Sequence, residues 1–369
     1  MKILIIGYMH PKFDKRVYRT VKSLSKVHDI IYQYWSNEDE KDYIDGNIKY
    51  IPIKYTKGAK GNPLKKLINR RAFDKKICDL VVEENYDIFY MHDFLASKPS
   101  YPFKIAKKRK KKIVYDIHEY HPENFLKKLE GIIEILKVKT VWRFFKKQLE
   151  LSDLAIFVSE EMRNDVVNKT NIDKEKTYII PNYANFIIKP DIQKKRKEIV
   201  LVGKTSRQIE DEKKILKSLI EKGFRFKVIG MDSKEFMDIS HEYTNFLPYE
   251  KMMEELAKAS FSLISYDEGN NRYNNNFKFA LPNKFYDSLA AGTPVIVKKS
   301  FVSMTKQVEN LGLGIVMDPA NLEESVEKIT NACKNYENII KNVEKHQKEF
   351  IWNEEKEKKF IDLISHLIK

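Results

Sequence analysis

Cysteine is nearly absent: Cys78 and Cys333 are the only two in 369 residues. That excludes a disulfide scaffold and a zinc site built from four thiolates, and it reads both thiols as reduced core residues of a cytosolic protein. No stretch reaches the roughly 18 apolar residues that a membrane-spanning helix needs. The start offers Lys2 and then only the apolar residues 3–6 before Gly7. That is a first strand, too short for the core of a signal peptide. There is no G-x-G-x-x-G, and a lone Gly7 does not make a dinucleotide fingerprint. No short-period repeat and no low-complexity linker interrupts the chain.

What is present is charge. Lys and Arg number 68 against 53 Asp and Glu, a formal net charge of +15. Such an excess favours anionic partners: nucleic acid, an acidic membrane surface or phosphorylated substrates. Richness in Lys, Asn, Ile and Tyr has a second reading as an AT-rich genome, which discounts the charge as evidence. With 42% hydrophobic and 33% charged residues, the chain reads as globular and long enough for two domains.

Strand-length apolar runs alternate with helical periodicity through both halves. Residues 3–6 read as a buried parallel strand. A loop follows, then a helix carrying Val17, Val21 and Leu24, then a strand at 28–34. Further strands are expected at 48–53, 87–91, 113–115, 154–158 and 176–180. Helices are expected at 63–85, 100–108 and, as one long segment, 124–151. Pro190 and the charge run at 194–198 mark the best boundary. The pattern restarts with strands at 199–202, 226–229, 261–265, 295–297 and 315–317. A helix is expected at 250–259, and helical segments at 321–349 and 351–368 close the chain. The fold class is α/β, with doubly wound domains at 1–184 and 198–350 and a linker at 185–197.

In such sheets ligands bind beyond the carboxyl ends of strands. Two His-Asp clusters fall there: His92-Asp93, and Asp116, His118, Glu119 and His121. A metal is disfavoured, because His118 and His121 are three apart rather than four and Pro122 breaks a continuing helix. Residues 124–151 carry an apolar stripe of Leu126, Leu129, Ile132, Ile133, Leu136, Trp142, Phe145 and Leu149. Lys127, Lys128, Lys137, Lys139, Lys146 and Lys147 flank it. Two readings stand: a core-packed helix with a solvated basic face, or a helix pressed on an anionic bilayer with Trp142 at the interface.

Two stretches suit a phosphate. Gly203, Lys204 and Arg207 lie between a strand and a helix, where free amides and the helix dipole favour an anion; solvated loop charges are the plainer reading. At 281–297, an Asn-rich loop ends at Leu281-Pro282, Asn283 is the expected N-cap, and Lys284 starts a short helix that Gly292 stops. Phe285 and Leu289 are expected to face a core, with Lys284, Asp287 and Ser288 opposite. The helix start and Lys284 suit a diphosphate, and Asp287 can accept from two neighbouring hydroxyls such as those of a ribose.

At this point a family enters. Pro-Asn-Lys-Phe-Tyr-Asp at 282–287, followed by Leu-Ala-Ala-Gly-Thr-Pro-Val at 289–295, resembles the nucleotide-sugar segment of GT-B glycosyltransferases, above all family 4, or group 1. Asp14-Lys15-Arg16-Val17, His92-Asp93 and Tyr115-Asp116-Ile117-His118-Glu119 resemble further segments of that family, so the likeness covers nearly the whole chain. It implies GT-B architecture: two Rossmann-like domains facing across a cleft, with residues 351–369 packing back on the first. It implies transfer of a sugar from a nucleoside-diphosphate sugar, UDP-sugar favoured, to a hydroxyl of a glycan or lipid-linked acceptor. Retention, bacterial cell-surface polysaccharide synthesis and a cytoplasmic place, peripheral at the inner face of the membrane, come with it.

The resemblance also distributes roles. His118 and Asp93 orient sugar and acceptor as catalytic residues. Lys204, Arg207, Lys284, Asn283 and Gly7 hold the donor diphosphate, with neither metal nor cofactor. Asp287, where the family usually has Glu, holds the ribose. Leu247, Pro248 and Tyr249 border the nucleobase. Asp14, Arg16 and Glu119 lie on the acceptor side, although Asp14 and Arg16 also read as a local surface ion pair. The family's earlier acid falls at Phe279 here, so Asp267 or Glu268 is its expected substitute. A nucleotide-sugar 2-epimerase on the same fold is the alternative. A basic nucleic-acid-binding protein is a third reading, for which no RRM, KH or helix-turn-helix signature exists.

Overall fold

The computed structural model describes residues 1–55, 63–124, 131–203, 209–230, 236–266 and 275–368. Lys204, Arg207, Asp267, Glu268, Leu126, Lys127, Lys128 and Leu129 lie outside the described residues. The chain forms two compact units. One is Met1–Ile180 with Glu354–Lys369, and the other is Pro181–Asn353.

The first unit is built on strands β1 (Lys2–Pro11), β2 (Asp29–Ser36), β3 (Tyr43–Asp45), β4 (Ile48–Lys54), β5 (Ile88–His92), β6 (Lys112–Ile117), β7 (Leu154–Phe157) and β8 (Thr177–Ile179). Their order is β3-β4-β2-β1-β5-β6-β7-β8, parallel except for the β3–β4 pair. Ile3, Leu4, Ile5 and Ile6 are fully buried, as a central parallel strand covered on both faces requires. β1 does not stop at Gly7. Tyr8 adopts φ +52°, and the side chain of Gln33 bridges the irregular stretch: the Tyr8 amide donates to Gln33 Oε1 at 2.8 Å, and Gln33 Nε2 donates to the Tyr8 carbonyl at 3.3 Å. Pairing with β2 then resumes at Pro11. The last helix, Glu354–Ser365, belongs to this unit: Phe360 sits edge-on to Tyr90, and Ser23 donates to Glu357 at 2.8 Å.

The second unit carries β9 (Arg196–Val202), β10 (Arg225–Ile229), β11 (Glu242–Thr244), β12 (Ala259–Ile264), β13 (Val295–Lys298) and β14 (Gly314–Met317). Their order is β11-β10-β9-β12-β13-β14, all parallel, the doubly wound 3-2-1-4-5-6 arrangement. The first sheet repeats that order in β4-β2-β1-β5-β6-β7. Each sheet therefore has its switch point between its first strand and the one after the crossover: β1/β5 and β9/β12.

Several expectations are corrected. Within the stretch 185–197 read as a linker, residues are hydrogen-bonded into the second unit. Ile188 donates to the Ala290 carbonyl at 2.9 Å, Gln347 donates to Ile188 at 2.9 Å, and Lys195 Nζ donates to the Gly292 carbonyl at 2.9 Å. Burial there lowers the Lys195 amine to about 7. Gly292 sits at φ +73°, where a Cβ would stand 2.9 Å from Pro190 Cβ, so the stop signal is also a packing requirement. β3, β11 and the helix Val302–Leu311 were not foreseen. Residues 321–349 are broken at Asn335 into Leu322–Lys334 and Tyr336–His346. Cys78 is buried, but Cys333 is exposed on the last turn of Leu322–Lys334. The long helix runs Gly131–Leu151 and buries apolar side chains only in its second half: Phe145 and Leu149 are in the core, while Ile132, Ile133, Ile135 and Leu136 are exposed. Trp142 is half-buried against Tyr120 and Phe145.

Candidate active site

In the first unit, chemistry gathers at the switch point. β5 and β6 pair in register so that His92 lies opposite Asp116. Tyr90 and His92, two apart on β5, share a face. Asp116 is 1% exposed and ringed by donors. Arg16 Nε and Nη2 reach its Oδ1 at 3.1 and 2.6 Å, and the Tyr90 hydroxyl donates to Oδ2 at 2.9 Å. Burial alone would raise this carboxyl, but Arg16 and then His92 hold it below the ordinary value. Burial pushes His92 down to about 3, so it is neutral. His92 Nδ1 lies 2.8 Å from His118 Nε2, and the His118 ring tilts against that of His10 at 5.0 Å.

Arg16 and Asp14 are thus not partners on the surface. Arg16 is 4% exposed and also donates to the Ile180 carbonyl. Asp14 is the N-cap of the helix Lys15–Leu24, accepting from the amides of Arg16 and Val17, both at 3.1 Å. It also pairs with His10 Nδ1 at 3.1 Å. Burial opposes its ionisation, yet the His10 hydrogen bond and charge bring it to about 2. Glu119 is exposed.

Asp93 and Tyr8 are the strained residues at this edge. Asp93, just past the end of β5, has φ +68°, and Tyr8, where the pairing of the neighbouring β1 is interrupted, has φ +52°. Left-handed backbone at non-glycine residues costs energy and marks sites where the surroundings impose a conformation. Around Tyr8 those surroundings are a network: its hydroxyl donates to Asp74 Oδ1 at 3.0 Å and accepts from the Ala96 amide at 3.0 Å and from Arg70 at 3.1 Å. Withdrawal from water raises the Asp93 carboxyl to about 7, with Glu119 adding repulsion. Gly7 lies inside β1. A Cβ there would stand 2.9 Å from the Gln33 carbonyl, so the glycine serves close strand and helix packing in this unit.

Ligand atoms of His92, Asp116 and His118 lie within 4.8 Å of one another. They are already committed. Asp116 carries a guanidinium, and the two imidazoles share a hydrogen bond. A divalent cation would have to displace the Arg16 guanidinium from Asp116 or sit beside that positive charge.

In the second unit, the helix Asn283–Ala290 starts at the β12 edge. Pro282, not Asn283, occupies the N-cap position, and no side chain caps the helix. Asn283 is exposed as the first helical residue. Lys284 Nζ donates to the Ser265 carbonyl at 2.9 Å and lies 4.1 Å from the centre of the Tyr266 ring. This holds its charge at the carboxyl end of β12, beside the switch point. Beneath it Glu212 accepts from Ser265 Oγ and pairs with Lys298, which donates to the Tyr266 carbonyl at 3.0 Å.

From Phe285 to Ala290 the helix is buried all round rather than on one face. Ser288 is fully buried against Ser262 at 2.7 Å, and Asp287 is 4% exposed. Asp287 Oδ1 accepts from the Tyr249 hydroxyl at 2.7 Å, and that hydroxyl accepts from the Asn185 amide at 3.2 Å. Pro248 and Tyr249 start the helix Tyr249–Lys258, with Leu247 half-buried just before it. Asp287 and Tyr249, assigned separately to ribose and base, are therefore one hydrogen-bonded pair. Phe279, where the family's acid would stand, is 6% exposed and packed in the core. The residues that sequence reasoning underused are His92, His10 and Asp116. The signal was the pair of strand ends, each carrying a His and an Asp.

The comparisons agree with this architecture. Residues 17–185 match the model of Glycosyltransferase Family 4, and residues 199–353 match that of the Glucosyltransferase 3-like C-terminal domain. Each half of the chain thus matches a glycosyltransferase domain model, and the fold is that of the GT-B glycosyltransferases. It is similar in fold to sucrose-phosphate synthase from Thermosynechococcus elongatus, at TM-score 0.71 and 12% identity over 100% of this chain and 99% of that one. The lipopolysaccharide outer core galactosyltransferase WaaB in apo form matches at TM-score 0.62 and 13% identity, over 99% of both chains. A putative UDP-N-acetylglucosamine 2-epimerase from Listeria monocytogenes matches at 0.57 and 11% identity, over 92% of this chain and 90% of that one. Sequence comparison with curated proteins gave no match.

Proposed function

We propose that this chain moves a sugar from a nucleoside-diphosphate sugar, with UDP the favoured nucleotide, to a hydroxyl of a glycan or lipid-linked acceptor, in bacterial surface polysaccharide synthesis. The observation that carries the reading is Lys284. Its ammonium is held at the β12 edge, on the first turn of a helix that no side chain caps, in the segment where the family keeps its donor. A departing diphosphate needs such charge in place before the bond breaks, and fixed donors supply it without a metal. Lys204 and Arg207, outside the described residues, join Lys284 in this reading. Asp287 takes the ribose through or beside Tyr249. In the first unit His118 and Asp93 orient the reacting groups.

Transfer with retention is carried by family likeness. An acceptor on a lipid at an anionic bilayer is supported by the exposed Ile132, Ile133, Ile135 and Leu136 among basic residues. A cavity of about 290 Å³ lined by Phe94, Pro99, Val141 and Phe144 lies beside the same helix. No described helix is long and apolar enough to cross a membrane. Co-sedimentation with anionic vesicles tests this part: Ile133→Glu with Leu136→Glu should abolish binding, and equal binding by both proteins sinks it.

The 2-epimerase reading stays because the same fold is shared with the UDP-N-acetylglucosamine 2-epimerase-like protein from Listeria monocytogenes. Product analysis separates the two. An epimerase converts the donor with no acceptor present, whereas a transferase releases nucleoside diphosphate in step with glycosylated acceptor.

A further inference from the structure

We infer that His92 is a positioning residue that fixes His118 as its Nδ1–H tautomer, so that His118 serves as a neutral hydrogen-bond donor and not as a general base. The catalytic part of this inference rests on the transfer reading above. The tautomer itself does not.

One proton lies between His92 Nδ1 and His118 Nε2, which are 2.8 Å apart. It can belong to either ring. If His118 owned it, neutral His92 would carry its own proton on Nε2. That nitrogen is buried with no hydrogen-bond partner among the described residues. A buried N–H without an acceptor costs roughly 1–3 kcal/mol and is among the rarest features of folded chains. A lone pair left unpaired in the same place costs less. The proton therefore belongs to His92 Nδ1.

Asp116 points the same way. Its Oδ2 lies 3.4 Å from His92 Nδ1, nearer than its Oδ1 stands to His118 Nε2 at 3.7 Å, so the carboxylate is closer to the proton when His92 owns it. Nor does the pair take up a second proton. Asp116 already carries Arg16 on Oδ1, and Arg16 repels an imidazolium built beside it. With both rings neutral, His118 Nε2 accepts from His92, its lone pair is committed there, and its single proton sits on Nδ1. Such a ring stabilises charge growing on an oxygen of the sugar or acceptor. It has no uncommitted lone pair with which to take a proton.

The test uses the full chain with ¹⁵N-labelled histidine rings and long-range ¹H–¹⁵N correlation at neutral pH, without substrate. His118→Gln identifies the signals of His118. The expected result is a pyrrole-type Nδ1 and a pyridine-type Nε2 on His118. The pattern should persist in His92→Asn, whose side-chain amide nitrogen takes the place of Nδ1 and still donates. It should change in His92→Phe, where the constraint is gone. An Nε2–H tautomer in the wild type overturns the inference, and so does an unchanged His118 pattern in His92→Phe. If His92→Phe does not fold, the wild type and His92→Asn spectra still decide. In turnover, His92→Phe should lose roughly 10²-fold in kcat/KM and His92→Asn no more than about threefold. A protein that shows the predicted tautomer but binds no nucleotide sugar would defeat the transferase reading and leave this inference standing.

Discussion

The two sheets share one strand order and place their chemistry at the same topological point, yet they furnish it in opposite ways. In the first unit the edge is a largely buried network: Asp116, Arg16, Tyr90, His92 and His118 are hydrogen-bonded to one another. In the second unit the edge is a held charge, with Lys284 anchored through a carbonyl and an aromatic ring. The contrast teaches that topology selects where a site lies, and that side chains decide what it does. A neutral, preorganised network suits orienting a hydroxyl. A fixed cation at a helix start suits a diphosphate.

The sharpest way to break the contrast is to open the first network. Arg16→Met should destabilise the protein by about 3–5 kcal/mol, because Asp116 is left as a buried carboxylate without its cation. Chemical denaturation measures this, and a loss below about 1 kcal/mol would show that Tyr90 and His92 suffice. The second unit should be gentler. Tyr249→Phe removes one hydroxyl from Asp287 and should cost about 1–3 kcal/mol. If it also weakens nucleotide binding, the pair acts in the donor site as a unit.

The smallest effect sharpens the electrostatics. Folded, the Asp93 carboxyl is held up at about 7, whereas in the unfolded chain it titrates near its ordinary value of 3.8. A group raised in this way contributes stability that is complete below the unfolded value and is lost as pH rises through the folded one. Melting temperature should therefore slope downward from about pH 4 to about pH 7, beyond the trend of the remaining groups. Asp93→Asn should flatten that component, since Asn tolerates φ +68° and can still accept from the Phe94 amide. An identical pH profile in the variant would show that Asp93 is not the group responsible.

Much of the fold was legible because parallel strands buried on both faces read as short apolar runs, and residues 3–6, 87–91, 199–202 and 295–297 are such runs. What escaped was whatever lacks that signature. β3 and β11 are three residues each and largely exposed. The continuation of β1 past Gly7 depends on the side chain of a distant Gln33. The linker at 185–197 read as polar and broken, but its lysine and backbone groups find their partners inside the second unit. At the site, residue types were legible and pairings were not. Asp14 and Arg16 are two apart in sequence, yet Arg16 spends its guanidinium on Asp116, a hundred residues away. Asp287 reads as lying opposite the core-facing side of its helix, yet from Phe285 to Ala290 that helix is buried on all sides.

The central claim is a donor site at the β12 edge that depends on Lys284. It is tested most directly by thermal melting against UDP, GDP, ADP and their sugars, for the wild type and Lys284→Ala. At about 100 times its dissociation constant a nucleotide should add about 2.7 kcal/mol of stability. The account predicts a shift with one nucleotide family in the wild type, strongly reduced or absent in Lys284→Ala. Equal shifts in both proteins, or none with any nucleotide in the wild type, would contradict it.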